Sequence, residues 1–189
     1  MNIKSTGCAI ALCAIVSLGT SAAQAAMLFC VTIVGQKQGV LAATSTRKGG
    51  GCVGKIEASG FSYGLVSPRD MTTGLSTGRR QHKPIRIKKE WSAVSIQLFR
   101  ALEENELLTT VTLDFISVDL VTGMMLLDHS INLTNAFITS IEHSSEVLTS
   151  TEAASKLPPM ETLELTFQKI ELIDHKSKTM AVSENSEKS

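Results

Sequence analysis

The segment GGGCVGKI places Gly49, Gly54 and Lys55 at the spacing of a phosphate-binding loop. In such a loop the residue after the lysine is a serine or threonine that binds magnesium, and here Ile56 stands in that place. The loop also requires a buried strand before it and a helix after it, but polar residues precede the segment and a β-like run follows it. The segment is therefore interpreted as a glycine-rich turn, and no nucleotide site is predicted.

No other group of residues has the spacing of a known catalytic or metal site. The four histidines, His82, His129, His143 and His175, are far apart and show none of the short spacings typical of metal ligands. No G-x-S-x-G sequence and no motif of paired catalytic carboxylates occurs. We therefore predict no catalytic, cofactor-binding or metal site, and we expect the chain to act by assembly or binding. His129 lies in a predicted strand opposite apolar neighbours and is expected to be a partly buried structural residue.

The N-terminus has the pattern of a signal peptide over residues 1–25. One positive charge, Lys4, precedes an apolar run at residues 8–18 that is too short to span a bilayer, and Ala23-Gln24-Ala25 offers a cleavage site. The sequence therefore predicts a secreted or periplasmic protein with no stable membrane insertion. The alternative is a true start at Met27, which would leave the protein in the cytoplasm before export.

Two of the four cysteines remain after cleavage, and the compartment would be oxidising. Cys30 and Cys52 lie near the ends of predicted neighbouring strands, so they can form one disulfide or remain two buried thiols. If the protein is exported, we expect the disulfide.

Composition excludes a general affinity for polyanions. Lys and Arg number 18, as do Asp and Glu, so the formal net charge is zero. The basic segment at residues 78–89 contains no aromatic residue for base stacking, and it is interpreted as a solvated loop and strand face. We predict no nucleic-acid partner.

The elements that would position any site are mainly strands. Apolar alternation or β-branched runs predict strands at residues 28–34, 53–66 and 84–90, and further strands follow in the C-terminal half. One amphipathic helix follows Ser92 and ends near Asn105, with Leu98, Phe99 and Leu102 as its core face. This order of elements fits one antiparallel barrel or sandwich with a covering helix.

The segments predicted to lack regular structure include residues 67–83 and 174–189. Residues 67–83 have the composition of a long exposed loop, and loops of this length usually have a function. Residues 174–189 are polar and mixed in charge, and we expect a disordered tail.

The middle of the chain resembles the haemolysin-coregulated protein (Hcp) family, which forms the inner tube of bacterial type VI secretion systems. The resemblance rests on FSYGLVS, a glycine-containing loop, HKPIRIKKEWSAVSIQLFRALEENELLTTVTLDF, LTNAFITSIEHS and PPMETLELTFQKIEL, in that order. Tyr63 stands where the family usually has tryptophan, and Asn105 stands where it usually has glycine.

The resemblance implies a domain over residues 26–173 that folds as a single antiparallel β-barrel of two sheets, with one short helix packed outside. It also implies hexameric rings that stack into a tube, with a spike protein and effector proteins as partners. The loop at residues 67–83 would then contact neighbouring subunits, with these candidate contact residues: Ser67, Arg69, Asp70, Met71, Gly74, Arg79 and Arg80. A cleaved leader is a departure from the family. The alternative function is therefore an exported binding or surface-assembly module with the same barrel.

Overall fold

A computed structural model of the protein describes residues 28–41, 52–119, 122–145 and 158–185. The predicted signal peptide at residues 1–25 and the alternative start at Met27 lie outside these ranges, as does Gly49 of the glycine-rich segment. Within the described ranges the chain is mainly β with one short helix.

The elements follow one another with short connections in the first half and with long strands in the second. In chain order they are β1 (Leu28–Gly35), β2 (Gly39–Leu41), β3 (Ile56–Ala58), β4 (Gly60–Ser62), β5 (Leu65–Val66), β6 (Gln81–His82), β7 (Ile85–Glu90), α1 (Val94–Glu103), β8 (Leu108–Val118), β9 (Met125–Ser144), β10 (Met160–Asp174) and β11 (Thr179–Glu184).

Nine strands form one antiparallel sheet in the order β2-β1-β8-β9-β10-β7-β4, with β3 added to β1 and β11 added to β10. The central strand β9 runs for 20 residues. Two irregularities lie within it: Asn135 has φ 51°, and the pairing with β10 shifts register near Thr139, between the pairs Glu164–Ser140 and Leu165–Ile138. A local irregularity therefore bends one long strand without ending it.

The hydrogen-bonded sheet does not close on itself, so the prediction of a single closed barrel is not confirmed. One bent segment nevertheless connects the two edges of the sheet. β3 pairs with β1, β4 pairs with β7, and only Ser59 separates β3 from β4. The second sheet in the described residues is the two-stranded β5–β6 pair at the base of the long loop.

The core lies on one face of the sheet and follows the predicted alternation. Ile85 and Ile87 of β7 are buried together with alternate residues of β8 and β10: Val111, Leu113, Phe115, Leu163, Leu165 and Phe167. Aliphatic side chains dominate, and Phe29, Phe61 and Phe115 supply a small aromatic contact at ring distances of 5.4–6.4 Å.

The helix packs on the sheet through a different face from the one predicted. Its buried residues are Val94, Ser95, Leu98 and Ala101, and Leu102 is partly buried against the core. Phe99 is 53% exposed, so its assignment to the core was wrong. Ile96 and Phe99 lie three residues apart and form an apolar pair on the outer side, which the helical spacing alone cannot distinguish from the inner one.

The helix start also differs from the prediction, whereas its end agrees. Ala93 occupies the N-cap position without a side-chain hydrogen bond, so Ser92 is not the cap. Asn105 adopts the left-handed conformation, with φ 47°, just beyond the helix.

The carboxylate of Glu106, just after the helix, holds the turn between β1 and β2. One oxygen accepts hydrogen bonds from the backbone N–H groups of Lys37 and Gln38 at 2.7 and 2.8 Å, and the other accepts the Gln38 side-chain amide at 2.7 Å. Burial raises the pKa of Glu106, but the hydrogen bonds from Gln38 and Lys37 outweigh it and the net shift is downward. Gly35 is required beside this carboxylate because a Cβ atom there would collide with it.

The predicted disordered tail is wrong for the described residues up to 185. Residues 175–178 form a turn, and β11 returns along β10 from Lys169 to Asp174. The segment is polar because it is exposed, and its backbone pairing with β10 orders it without burying much apolar surface. Residues 186–189 lie outside the described ranges.

Candidate functional site

The loop at residues 67–83 begins and ends on the β5–β6 pair, and a bridge between Arg69 and Ser76 narrows its outer part. Its base is anchored by His82, whose Nδ1 lies 2.7 Å from the Tyr63 hydroxyl and whose Nε2 lies 3.1 Å from Ser183 Oγ of β11. Burial raises the pKa of Tyr63. The loop is therefore fixed at its base to two other parts of the fold.

The tip of this loop is organised by its own residues. The Oδ1 atom of Asp70 accepts hydrogen bonds from the backbone N–H groups of Thr72 and Thr73 and from the Thr73 hydroxyl, at 2.7–3.0 Å. The hydrogen bonds from Thr73, and then that from Thr72, lower the pKa of the Asp70 carboxyl group. Backbone bonds from Asp70 to Leu75 and from Gly74 to Asp70 complete the turn at 2.9 Å each. Gly74 has φ +70°, which favours glycine.

The candidate contact residues of the loop lie together on its surface. Ser67, Arg69, Met71, Gly74, Arg79 and Arg80 are exposed, and Asp70 is half-buried because it faces the turn that it organises. Met71 is 99% exposed and Leu75 68% exposed, so the ordered tip presents two large apolar side chains. Ordered apolar residues at a loop tip, flanked by arginines, are typical of a protein–protein contact.

The structure also joins Cys30 and Cys52 by a disulfide with a Cα–Cα distance of 5.3 Å. Both cysteines are buried and pack with Ile116 on the face of the sheet opposite the core. The disulfide holds the turn that leads into β3 against β1 and β8.

A polar cluster that the sequence did not reveal lies beside this disulfide. Asp114 Oδ2 accepts a charged hydrogen bond from Lys55 Nζ at 2.7 Å, and Asp114 Oδ1 accepts one from Ser130 Oγ at 2.8 Å. His175 Nε2 lies 3.0 Å from the same serine oxygen. These residues come from four separate segments, and only the strand register brings them together.

The cluster contains serine, histidine and aspartate but does not have the arrangement of a hydrolytic triad. A serine hydroxyl has one proton, and Ser130 donates it to Asp114, so His175 must be the donor in its own contact with Ser130. In a triad the histidine accepts the serine proton and the carboxylate orients the histidine. The cluster therefore functions as a structural network in this arrangement.

A buried ion pair joins the helix to the sheet. Lys89 and Glu161 are 1% and 0% exposed, and their Nζ and Oε1 atoms are 2.7 Å apart. Lys89 also donates to the Glu90 carbonyl and to the hydroxyls of Ser92 and Ser95 at 2.8–3.2 Å. Burial lowers the pKa of Lys89, and the contacts with Glu161 offset this in part.

The burial of Lys89 corrects the interpretation of residues 78–89 as a wholly solvated segment. Alternation predicted Ile85 and Ile87 as inward-facing and did not extend this period to the lysine two positions later, because lysine is rarely buried without a partner. Here Glu161 and the two serines of the helix start supply the partners.

The described residues contain no group of three or more His, Cys, Asp or Glu side chains that could hold a metal ion. Among the same residues, no helix is both long and apolar enough to cross a membrane. His129 is half-buried and stacks on Phe115 with ring centroids 4.2 Å apart, as a structural histidine would.

The family model for the type VI secretion system effector Hcp matches residues 45–173, which is more than half of the chain. The chain belongs to the Hcp family. The match lies within the predicted domain at residues 26–173 and includes the long loop, the helix and the central strands.

One curated relative of the Hcp-family chain is the major exported protein of Pseudomonas aeruginosa. It is 34% identical over 92 residues, which cover 45% of this chain and 54% of the relative. The match thus spans about half the length of that relative.

Solved Hcp structures have the same fold. A crystal structure of an Hcp protein superposes with a TM-score of 0.78 at 21% identity and covers 86% of this chain and 99% of that one. A secreted Hcp protein from Pseudomonas aeruginosa gives a TM-score of 0.68 at 22% identity, covering 84% and 98%. An E. coli Hcp protein gives 0.69 at 18% identity, covering 84% and 99%.

The membership confirms the resemblance on which the sequence analysis rested. A family of structural secretion proteins agrees with the interpretation of the chain as a structural protein. The coarse fold, mainly β with one short helix, is confirmed by the structure and by these relatives.

Proposed function

We propose that this chain is a ring-forming structural subunit of a type VI secretion inner tube. The observation that carries the proposal is the pairing of a complete Hcp fold, which covers 99% of a solved Hcp chain, with an ordered and exposed loop tip. A hexameric ring and its stacking into a tube are expectations from the family.

The geometry of the loop supports a role in the contact between subunits. Asp70 and the turn around it satisfy many of the loop's backbone groups within the loop itself. The tip is thus ordered before it binds, so little conformational entropy is lost on contact. One such heterologous contact, repeated around an axis, closes a ring when the rotation permits.

We propose in addition that the subunit is a barrel closed by the bent segment of β3 and β4. This segment is adjacent to β1 through one half and to β7 through the other, with one residue between the halves. A bend of this kind turns the corner of a barrel without a continuous ladder.

The lumen of the ring would carry effectors, and the end of the tube would meet a spike protein. Both partners are expectations from the family, and neither requires a cofactor or a catalytic group in this chain.

Export through a cleaved leader at residues 1–25 is a separate proposal, and the disulfide supports it because disulfides persist in oxidising compartments. A cleaved leader would favour the alternative function, an exported binding or surface-assembly module that keeps the barrel without forming a tube, whereas a start at Met27 would favour the tube.

Native mass spectrometry of the purified protein distinguishes the two functions. A ring predicts a mass of six subunits, and Met71→Ser combined with Leu75→Ser should shift it to monomer. Ile96→Ser removes a similarly exposed apolar residue from the helix, 63% exposed, and should leave the ring intact. A protein that is monomeric at high concentration would favour the binding module, and a ring that tolerates the double substitution would exclude the loop tip as its contact.

A further inference from the structure

A single cross-strand row crosses the sheet on the face opposite the core. Neighbouring strands pair Cys30 with Asp114, Asp114 with Ser130, Ser130 with Ile173, and Ile173 with Met180. Residues paired in this way lie on the same face with Cβ atoms about 5 Å apart. The row therefore connects β1, which carries the disulfide, to β11 at the C-terminal end of the sheet.

At one end of the row the disulfide positions a lysine. Cys52 accepts a backbone hydrogen bond from Lys55 at 3.0 Å, which closes a tight turn, and the Lys55 ammonium group reaches Asp114 at 2.7 Å. Because the disulfide fixes Cys52 next to Cys30, it also fixes the turn from which Lys55 reaches the row.

At the other end the row holds the C-terminal hairpin, which we define as residues 169–184. Ser130 links Asp114 to His175 of the hairpin turn, and the backbone N–H of His175 donates to the Asp128 carbonyl at 2.9 Å. The Lys176 side chain pairs with Asp128 at 2.8 Å. The hairpin is thus attached through β10, through these polar contacts at its turn, and through the contact of Ser183 with His82 near its far end.

In the middle of the row, the Asp114 carboxylate depends on Lys55 for its positively charged partner. Asp114 is only 8% exposed, and its two oxygens are used by Lys55 and Ser130. A buried carboxylate that loses its cation is unfavourable, so it must move toward water or toward another donor. Either movement changes the Ser130 contact on which the His175 contact depends.

We propose that the disulfide between Cys30 and Cys52 controls, through Lys55 and Asp114, how firmly the C-terminal hairpin is held on the sheet. In the oxidised protein the turn, the ion pair and the hairpin form one connected unit. In the reduced protein Lys55 leaves Asp114 and the hairpin opens more often. β11 pairs with β10 alone among the described strands, so this opening changes an edge of the sheet.

The redox step is a thiol–disulfide exchange. One thiolate of a dithiol attacks the sulfur of one cysteine, which forms a mixed disulfide and releases the other cysteine as a thiolate. The second thiolate of the dithiol then attacks the reagent sulfur of the mixed disulfide and releases the first cysteine, which leaves two cysteine thiols and one oxidised dithiol. In the cell, the reverse step requires a disulfide-carrying oxidant that accepts two electrons from the two cysteines. The cellular role rests on the proposed export, whereas the coupling itself can be measured on purified protein.

Amide hydrogen exchange of the purified protein tests the coupling. Oxidised protein is compared with protein treated with dithiothreitol, and the reduction is verified by the mass of the alkylated thiols. We expect the amides of β11 to exchange about tenfold faster after reduction, while those of residues 131–133 in the centre of β9 stay unchanged. The pair Cys30→Ser with Cys52→Ser should reproduce the reduced state without any reagent.

The variant Lys55→Met separates this mechanism from a direct effect of the disulfide. It should speed β11 exchange by the same factor in the oxidised protein, and reduction should then add nothing further. Arg86→Met is the control because it removes another ion pair of the sheet, between Arg86 of β7 and Glu164 at 2.6 Å. It should leave the amide exchange rates of β11 unchanged.

Three results would overturn the proposal. The first is amide exchange in β11 that does not change on reduction. The second is a Lys55→Met variant in which reduction speeds β11 exchange as much as it does in the wild type, and the third is exchange at residues 131–133 that reduction speeds as much as it speeds exchange in β11. The oligomeric mass of the same samples reports separately on the ring. A monomer would contradict the proposed function and leave the coupling intact.

Discussion

The turn at residues 36–38 and the loop tip at residues 70–75 are each organised by one carboxylate, but the two carboxylates come from very different distances in the chain. Glu106 reaches its turn across 68–69 residues and is buried. Asp70 bonds to residues two and three positions ahead of itself at an exposed tip.

The difference separates a turn that belongs to the core from a tip that is independent of it. The contacts of Glu106 form only when β1, β2 and the end of the helix are all in place, so they contribute to global stability. The contacts of Asp70 form within one short segment, so they order the tip without supporting the main sheet. An independent, ordered tip is suited to contact another subunit.

The largest expected effect is that of Glu106→Ala. It removes three hydrogen bonds to a charged, buried acceptor and leaves their part-buried donors without that partner, so the free energy of unfolding should fall by about 3 kcal/mol. Glu104→Ala is the matched control because Glu104 bonds the same turn through the exposed Lys37 side chain, and it should cost less than about 1 kcal/mol. Urea denaturation measures both free-energy changes when each substitution is made in the Met71→Ser/Leu75→Ser variant, which is expected to be monomeric. Equal losses of unfolding free energy for Glu106→Ala and Glu104→Ala would refute the comparison.

Gly35→Ala should have the next largest effect, about 2 kcal/mol, because the added Cβ collides with the Glu106 carboxylate. Combining it with Glu106→Ala should cost less than the sum of the two single losses, since the collision disappears with the carboxylate. Additive losses in a double-mutant cycle would place the strain elsewhere.

Acid should weaken the Glu106 turn selectively. The pKa of Glu106 in the folded protein lies below the ordinary glutamate value of 4.5, so its contribution to stability is present above pH 4.5 and is lost as the pH falls through the folded pKa. The difference in unfolding free energy between the wild type and Glu106→Ala should therefore shrink between pH 6 and pH 3 (about the range in which carboxylates titrate). A difference that is constant over this range would contradict the lowered pKa.

Asp70→Ala should have the smallest effect on the fold and a clear effect on assembly. Because the contacts of Asp70 are local and exposed, the free energy of unfolding of the subunit, measured by thermal unfolding, should change by less than about 1 kcal/mol. The tip would lose its order, so rings should dissociate at a higher protein concentration than those of the wild type. Unchanged dissociation, measured by sedimentation velocity, would mean that the order of the tip does not matter for assembly.

Much of the core was predictable because period-two alternation is a local signal. Ile85, Ile87, Leu113 and Leu165 lie inside as their spacing indicates. The helix was found for the same reason, but its inner face was wrong at Phe99, since both Leu98 and Phe99 belong to rows with helical spacing.

The remaining features depend on partners that local patterns do not contain. The Asp114 contact with Ser130 exists only in one strand register, and Lys89 can be buried only because Glu161 lies opposite. The sequence of β11 has little apolar periodicity, and the strand is positioned by its antiparallel pairing with β10. The functional assignment came from the order of several degenerate motifs, which reflects ancestry and which no single spacing could provide.

The loop tip is proposed to make the contact between subunits without supporting the subunit fold. Light scattering, with circular dichroism of the same samples, tests it on the wild type and on a variant that lacks residues 72–78. We expect a ring mass for the wild type, a monomer mass for the deletion, and the same strand signal in both. A deletion variant that still forms rings, or that loses its strand signal, would contradict it.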